Sequence, residues 1–233
     1  MISLVTSTII PAAYSFFSVD ERYLQTLHTL TSLSDKGFDD IYIFDNSIAD
    51  LEVDRILGNK SQKVKLLQNK QYCFANKGLN EALLILNHLA ALPDNVPIFK
   101  ISGRYYATEK FQINNLLKQL GDKDILGICK NIYQKVPYFS TRSYLTKNKQ
   151  VLEKMLILSI EEMIAYGRDS NTFSGILKKI FTFLAPKIGT PFQLSLEQAF
   201  ARIVKHHNNC VLVDEMNIAG YVAGSTHQDF ISE

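Results

Sequence analysis

Four short clusters in the 233-residue chain carry side chains that can do chemistry. In Phe99-Lys100-Ile101-Ser102-Gly103-Arg104-Tyr105-Tyr106, an ammonium and a guanidinium follow an apolar run. Such cations can meet phosphate oxygens, the Arg with a two-pronged fork. Gly103 permits close backbone approach, and the tyrosines add hydroxyl donors. Thr6-Ser7-Thr8 and Asp45-Asn46-Ser47 place hydroxyls, an amide and a carboxylate at the ends of two further apolar runs. Glu197, within Ser195-Leu196-Glu197-Gln198, is a late carboxylate. Plainer readings compete with each: Asp45 as a turn cap, Lys100 and Arg104 as solvated charges, Glu197 as a first-turn helix acid.

The elements that must position these groups follow from hydrophobic spacing. Residues 1–19 contain no charged side chain. A signal peptide is disfavoured because the n-region lacks Lys and Arg, and Thr6 to Thr8 and Pro11 interrupt the apolar run. The same interruptions disfavour a spanning helix, so residues 2–10 read as a buried first strand. Ser18-x-x-Glu21 is a capping box opening a helix with Tyr23, Leu24, Leu27, Leu30 and Leu33 on one stripe, which Gly37 can end. Strands are expected at 40–45, 64–67, 98–102 and 125–129, and helices at 76–91 and 108–120. Further on, helices are expected at 151–166, 173–184 and 194–207, with short strands at 211–214 and 218–222. Alternation of this kind implies βαβ units and a mostly parallel sheet flanked by helices, an α/β fold with a helical C-terminal half.

Composition narrows the chemistry. The 25 Lys and Arg against 23 Asp and Glu give a net charge of +2, which is no footprint for nucleic acid. Three widely spaced cysteines, with no Cys-x-x-Cys, indicate neither a disulfide framework nor a zinc site and fit a reducing cytoplasm. His206-His207 reads as a helix terminus. In an open parallel sheet, ligands bind at the carboxyl ends of the strands, where the polar clusters lie. The first turn has no glycine, so a dinucleotide-binding Gly-x-Gly-x-x-Gly is excluded, and a P-loop is also absent.

Taken together, Ser3-Leu4-Val5-Thr6-Ser7-Thr8, Ile41-Tyr42-Ile43-Phe44-Asp45-Asn46-Ser47, Asn69 with Phe74-Ala75-Asn76-Lys77-Gly78-Leu79-Asn80-x-Ala82, and Ser195-Leu196-Glu197-Gln198 resemble the GT-A nucleotide-sugar glycosyltransferases, particularly the large inverting family. The resemblance implies a GT-A-like, Rossmann-like single domain spanning 1–233. Residues 1–110 would be the nucleotide-sugar-binding half, and 111–233 the acceptor side with a helical insertion at about 147–190. It implies that Thr6, Ser7, Asp45 and Asn46 hold the nucleoside, Asp45 counting also as a catalytic carboxylate, and that Asn76 and Lys77 lie near the diphosphate. Glu197 is then the candidate base for the acceptor hydroxyl, and His227 a further diphosphate ligand. The family's residue before Asn76 is often basic, and here it is Ala75.

Metal-dependent members end the fourth strand with Asp-x-Asp, and this chain does not. The literal Asp122-Lys123-Asp124 sits at the opposite end of the sheet and reads as a turn. With Lys100, Ser102, Gly103, Arg104 and Tyr105 in that place, the expectation is metal-independent transfer, with no cofactor and fixed cations meeting the departing charge. The expected partners are a UDP-, GDP- or dTDP-linked sugar and a saccharide or lipid-linked acceptor. The basic amphipathic stretch 175–189 reads as a helix packed on the core or a second copy. Contact with an anionic inner membrane face is its alternative. The competing class is a nucleotide- or carbohydrate-binding module of the same fold without catalysis.

Overall fold

A computed structural model describes residues 1–12, 15–38, 40–57, 63–69, 72–133, 136–168, 173–177, 194–222 and 229–233. The chain begins with β1 (Ile2–Ser7), α1 (Val19–Asp35), β2 (Ile41–Asp45), α2 (Val53–Leu57), β3 (Val64–Gln68) and α3 (Lys77–His88). It continues through β4 (Ile98–Ser102), β5 (Tyr105–Ala107), α4 (Ile113–Leu120), β6 (Ile125–Lys130) and β7 (Tyr138–Thr146). After α5 (Lys149–Arg168) and α6 (Leu196–His206) come β8 (Cys210–Leu212), β9 (Ile218–Tyr221) and β10 (Phe230–Ser232).

Seven strands form one sheet in the order β3-β2-β1-β4-β7-β6-β8. The pairings among β1, β2, β3 and β4 are parallel, as is β6 with β8, whereas β7 runs antiparallel to both β4 and β6. The sheet is therefore mostly parallel, as expected, but a strand absent from the sequence expectation, β7, lies inside it between β4 and β6. Polar residues obscured β7: Ser140, Thr141, Ser143 and Thr146 are buried among its apolar positions, so neither a continuous apolar run nor a clean alternation marks it. Since β6, β7 and β8 extend the sheet begun by the first half, residues beyond 110 build the sheet as well as covering it.

Alternation along each strand divides the core. Leu4, Phe44, Ile98 and Tyr144 face α3, α5 and α6, whose Ile85, Leu156 and Phe200 pack against them. Val5, Ile43, Phe99 and Leu126 face the opposite layer with Leu30 of α1 and Leu116 of α4. Burying both faces accounts for the near-continuous apolar runs of β2 and β4.

Helix α1 keeps its expected capping box, with Glu21 N–H donating to Ser18 Oγ and Ser18 N–H to Glu21. Its buried stripe differs from the leucine pattern. Leu24 is exposed, while Thr26, Thr29 and Ser32 are buried. Those hydroxyls satisfy the backbone of the next edge: Thr26 donates to Gly103 O, Thr29 to Tyr105 O, and Ser32 accepts from Ala107 N–H. The same edge pairs as β5 with β9, which is why α4 starts at Ile113 and not at 108.

Among the described residues no helix is long and apolar enough to cross a membrane. Most of the 175–189 stretch lies outside the described residues. Close packing of α3 on α6 rests on Gly78, where an added Cβ would lie 2.5 Å from Leu196 Cβ and 3.0 Å from its backbone nitrogen. Gly78→Ala would gain up to about 1 kcal/mol in helix propensity but force the helices apart, typically costing about 1–3 kcal/mol. Urea denaturation should show a net loss of stability. A raised midpoint would mean that α3 and α6 do not constrain each other here.

Candidate functional site

The carboxyl ends of β1, β2 and β4, with the N-terminal half of α3, enclose a cleft of about 400 Å³. Its lining includes Thr6, Ser7, Asn46, Lys77, Ser102, Gly103 and Arg104, seven residues that the sequence singled out. Parallel pairing brings them together: Thr6 is level with Phe44 on one side and Ser102 on the other, and Gly103 N–H donates to Thr6 O at 2.8 Å. Gly103 is packed so closely that a Cβ would lie 3.2 Å from Ser7 Cβ. Asn46 closes the β3–α3 loop, exchanging hydrogen bonds with the backbone N–H and C=O of Tyr72.

The other singled-out residues lie elsewhere, each for a visible reason. Asp45 is fully buried below the cleft, accepting from Ser7 Oγ, Ile9 N–H and Ser47 N–H, so it organises the two loop ends instead of facing a ligand. Asn76 caps α3 through Leu79 N–H and donates to Leu194 O. Tyr105 is buried in β5, with its hydroxyl accepting from Arg142 Nε at 3.1 Å. Glu197 is in the first turn of α6, within a Ser195/Gln198 capping box, and accepts from Thr141 Oγ1 at 3.2 Å. It does not line the cleft. His227 lies outside the described residues.

Lys100 departs most from expectation. Its side chain is fully buried on the α3 face, in an ion pair with Glu81, and it donates to Thr141 O. The Tyr144 ring lies 5.6 Å from the ammonium. Burial pushes the Tyr144 phenol well above its usual range, so it stays neutral beside the pair. Glu81 does line the cleft, and it also accepts from Thr6 Oγ1 at 2.8 Å. Lys100 thus sits behind Glu81 and neutralises it, so its expected contact with a diphosphate is replaced by a positioning role.

Arg22 was missed by the sequence reading. It lines the cleft from the start of α1, donating through Nη1 to Thr8 O at 2.5 Å and through Nε to Ser15 Oγ at 3.1 Å. A signal was present, because a helix N-terminus disfavours a cation, so an Arg beside Asp20-Glu21 needs another reason for its position. Burial, and then the like charge of Arg104, lower the Arg22 guanidinium to about 10, leaving it charged at neutral pH. Arg104 is also lowered, chiefly by burial, and its Nη1 is enclosed with no hydrogen-bond partner among the described residues.

A divalent ion needs several oxygen ligands. Among the described lining residues Glu81 supplies the one carboxylate, and its Oε1 is engaged by Thr6 and Lys100. These residues do not fit a metal.

No family model matches the chain, and no curated protein matches it. Among solved structures it resembles an active-site mutant of LgtC, with TM-score 0.51 and 13% identity, covering 96% of this chain and 88% of that one. A protein from Bacillus anthracis assigned as a glucose-1-phosphate thymidylyltransferase, in complex with a sucrose, gives TM-score 0.52 and 11% identity, covering 94% and 89%. Another LgtC structure, described as a galactosyltransferase with donor and acceptor sugar analogs, gives 0.49 and 11%. The chain has the mixed α/β, Rossmann-like fold that GT-A glycosyltransferases and nucleotidyltransferases share.

The Lys100–Glu81 pair generates a test. Removing one partner of a buried pair strands the other, typically at a cost of about 3 kcal/mol or more. Glu81→Gln should destabilise more than Lys100→Met, because the ammonium is the more deeply buried charge. The double variant should recover most of the loss in urea denaturation. Strictly additive losses would show that the two groups are not coupled.

Proposed function

We propose that this chain is a transferase that binds a nucleotide sugar in the β1-β2-β4 cleft and passes the sugar to a saccharide or lipid-linked acceptor without a metal ion. The observation that carries this reading is Arg104: a guanidinium lining the cleft at a strand end, with one buried nitrogen unpartnered. A largely desolvated guanidinium with an orphan donor and no ion-pair partner among the described residues is costly, and an anion in the cleft would offset that cost. The fold is compatible with the same ligand class, since it is shared with LgtC and with a protein assigned as a glucose-1-phosphate thymidylyltransferase.

In this reading the nucleoside lies between the Thr6-Ser7 end of β1 and the Asn46–Tyr72 bracket. The diphosphate lies against Arg104, with Lys77 at the rim. As the sugar's anomeric bond to the diphosphate breaks, the leaving group gathers negative charge that a fixed guanidinium can stabilise without reorganising. The acceptor hydroxyl must lose its proton. Glu81 is poorly suited because its Oε1 is already engaged by Lys100 and Thr6, so the role falls to Glu197, which has no ion-pair partner among the described residues. The absence of Glu197 from the described lining favours a second reading, a nucleotide- or carbohydrate-binding module without turnover.

A thermal-shift screen over UDP-, GDP- and dTDP-sugars in EDTA, with Mn²⁺ added in parallel, should show stabilisation by one nucleotide without metal. Transfer should follow with the responding donor. Glu197→Gln should lower kcat by about 10²–10⁴-fold and leave donor KM nearly unchanged. Binding without turnover would establish the module instead. Activity abolished by EDTA and restored by a divalent ion would overturn metal independence.

A further inference from the structure

Two guanidinium groups line this cleft in surroundings that oppose their charge. Arg22 belongs to the first turn of α1, where the helix dipole disfavours a cation. Arg104 has its Nη1 enclosed and unpartnered among the described residues. Burial is the main cost of charging each, and like charge adds to it, Arg104 acting on Arg22 and Arg142 on Arg104. The nearby carboxylates offset this only in part: Glu81 is paired with Lys100 and Glu233 with Arg142, while Asp45, held by Ser7 and two backbone N–H groups, favours the Arg22 charge without an ion pair to it. Among the described residues, neither Arg22 nor Arg104 has an ion-pair partner.

Such a pair is relieved by an anion that can engage both groups. We propose that Arg22 and Arg104 form a two-arginine site for a diphosphate, with Arg22 as a second binding residue for the leaving group; this rests on reading the cleft as a nucleotide-sugar site. A diphosphate suits the pair better than a lone carboxylate because it presents two phosphoryl groups, one for each guanidinium, with the N–H groups of Arg22 that are not donating to Thr8 and Ser15 left for one of them. Arg22 also holds Thr8 and Ser15, so the same side chain fixes the cleft wall that follows β1. The Asp45 hydrogen bonds to Ser7 and Ile9 brace that wall from below.

Inorganic pyrophosphate in EDTA is the probe, with orthophosphate as comparison, measured by calorimetry on the full chain. Pyrophosphate should bind more tightly than orthophosphate. Arg22→Gln and Arg104→Gln should each weaken it about tenfold or more, and Arg22→Lys, which keeps the charge but loses the fork, should fall between Arg22→Gln and wild type. Urea midpoints identify any variant that fails to fold, in which case Arg22→Lys decides the question. Wild-type affinity in folded Arg22→Gln, or in Arg22→Lys if only that variant folds, would overturn the proposal. Its failure is separable from that of the transferase reading. Pyrophosphate binding that depends on Arg22, with no sugar transfer, would leave the diphosphate site standing. Sugar transfer with pyrophosphate binding indifferent to Arg22 would remove this inference alone.

Discussion

A lysine ammonium with no solvent exposure, set in the middle of a sheet, is the constraint around which this molecule is arranged. Desolvating such a charge costs several kcal/mol unless an opposite charge and hydrogen bonds surround it. Glu81 supplies the charge from α3, Thr141 a carbonyl from β7, and Tyr144 a ring face from the same strand. Meeting these needs fixes how α3 lies across β4 and why β7 must pair beside it. The hydroxyl of Thr6 donates to the same Oε1 of Glu81, so the carboxylate reaches the cleft already neutralised.

That neutralisation shapes the electrostatics of the site. With Glu81 matched from behind, the cationic side chains at the cleft, Arg22, Lys77 and Arg104, are opposed by no unmatched carboxylate among the described lining residues. A chain whose net charge is only +2 can therefore present a strongly positive pocket without a basic face. Two of the three cations stand at helix starts, where they would be disfavoured without an anion to meet.

Rigidity around these cations comes from hydroxyls. Thr26 and Thr29 of α1 bond the backbone on either side of Arg104, so the turn that carries the guanidinium is held by a helix rather than left as a mobile loop. On the other flank, β9 crosses so close that a Cβ on Gly220 would fall 2.2 Å from Arg104 O. A binding group held on both sides in this way needs little ordering when a ligand arrives.

The sequence by itself determined what local spacing and chemistry dictate. The first strand and its polar end, the Ser18 capping box, the fourth strand at 98–102 and the helix containing Leu79 and Leu83 were legible because their signals lie within a few residues. Seven of the lining residues were legible too, since the carboxyl ends of parallel strands converge whatever the loops do. Only the tertiary structure decided which charges face the ligand. Lys100 and Arg104 are four residues apart and chemically alike, yet the strand pleat turns Lys100 onto Glu81 while the turn after β4 brings Arg104 to the cleft. β7 depends on a partner strand distant in the chain, so no window of sequence contained it, and Arg22, whose bonds to Thr8 and Ser15 are local, reaches the cleft only through the packing of α1. Burial and pairing are properties of the assembled layers, and they separate a binding cation from a structural one.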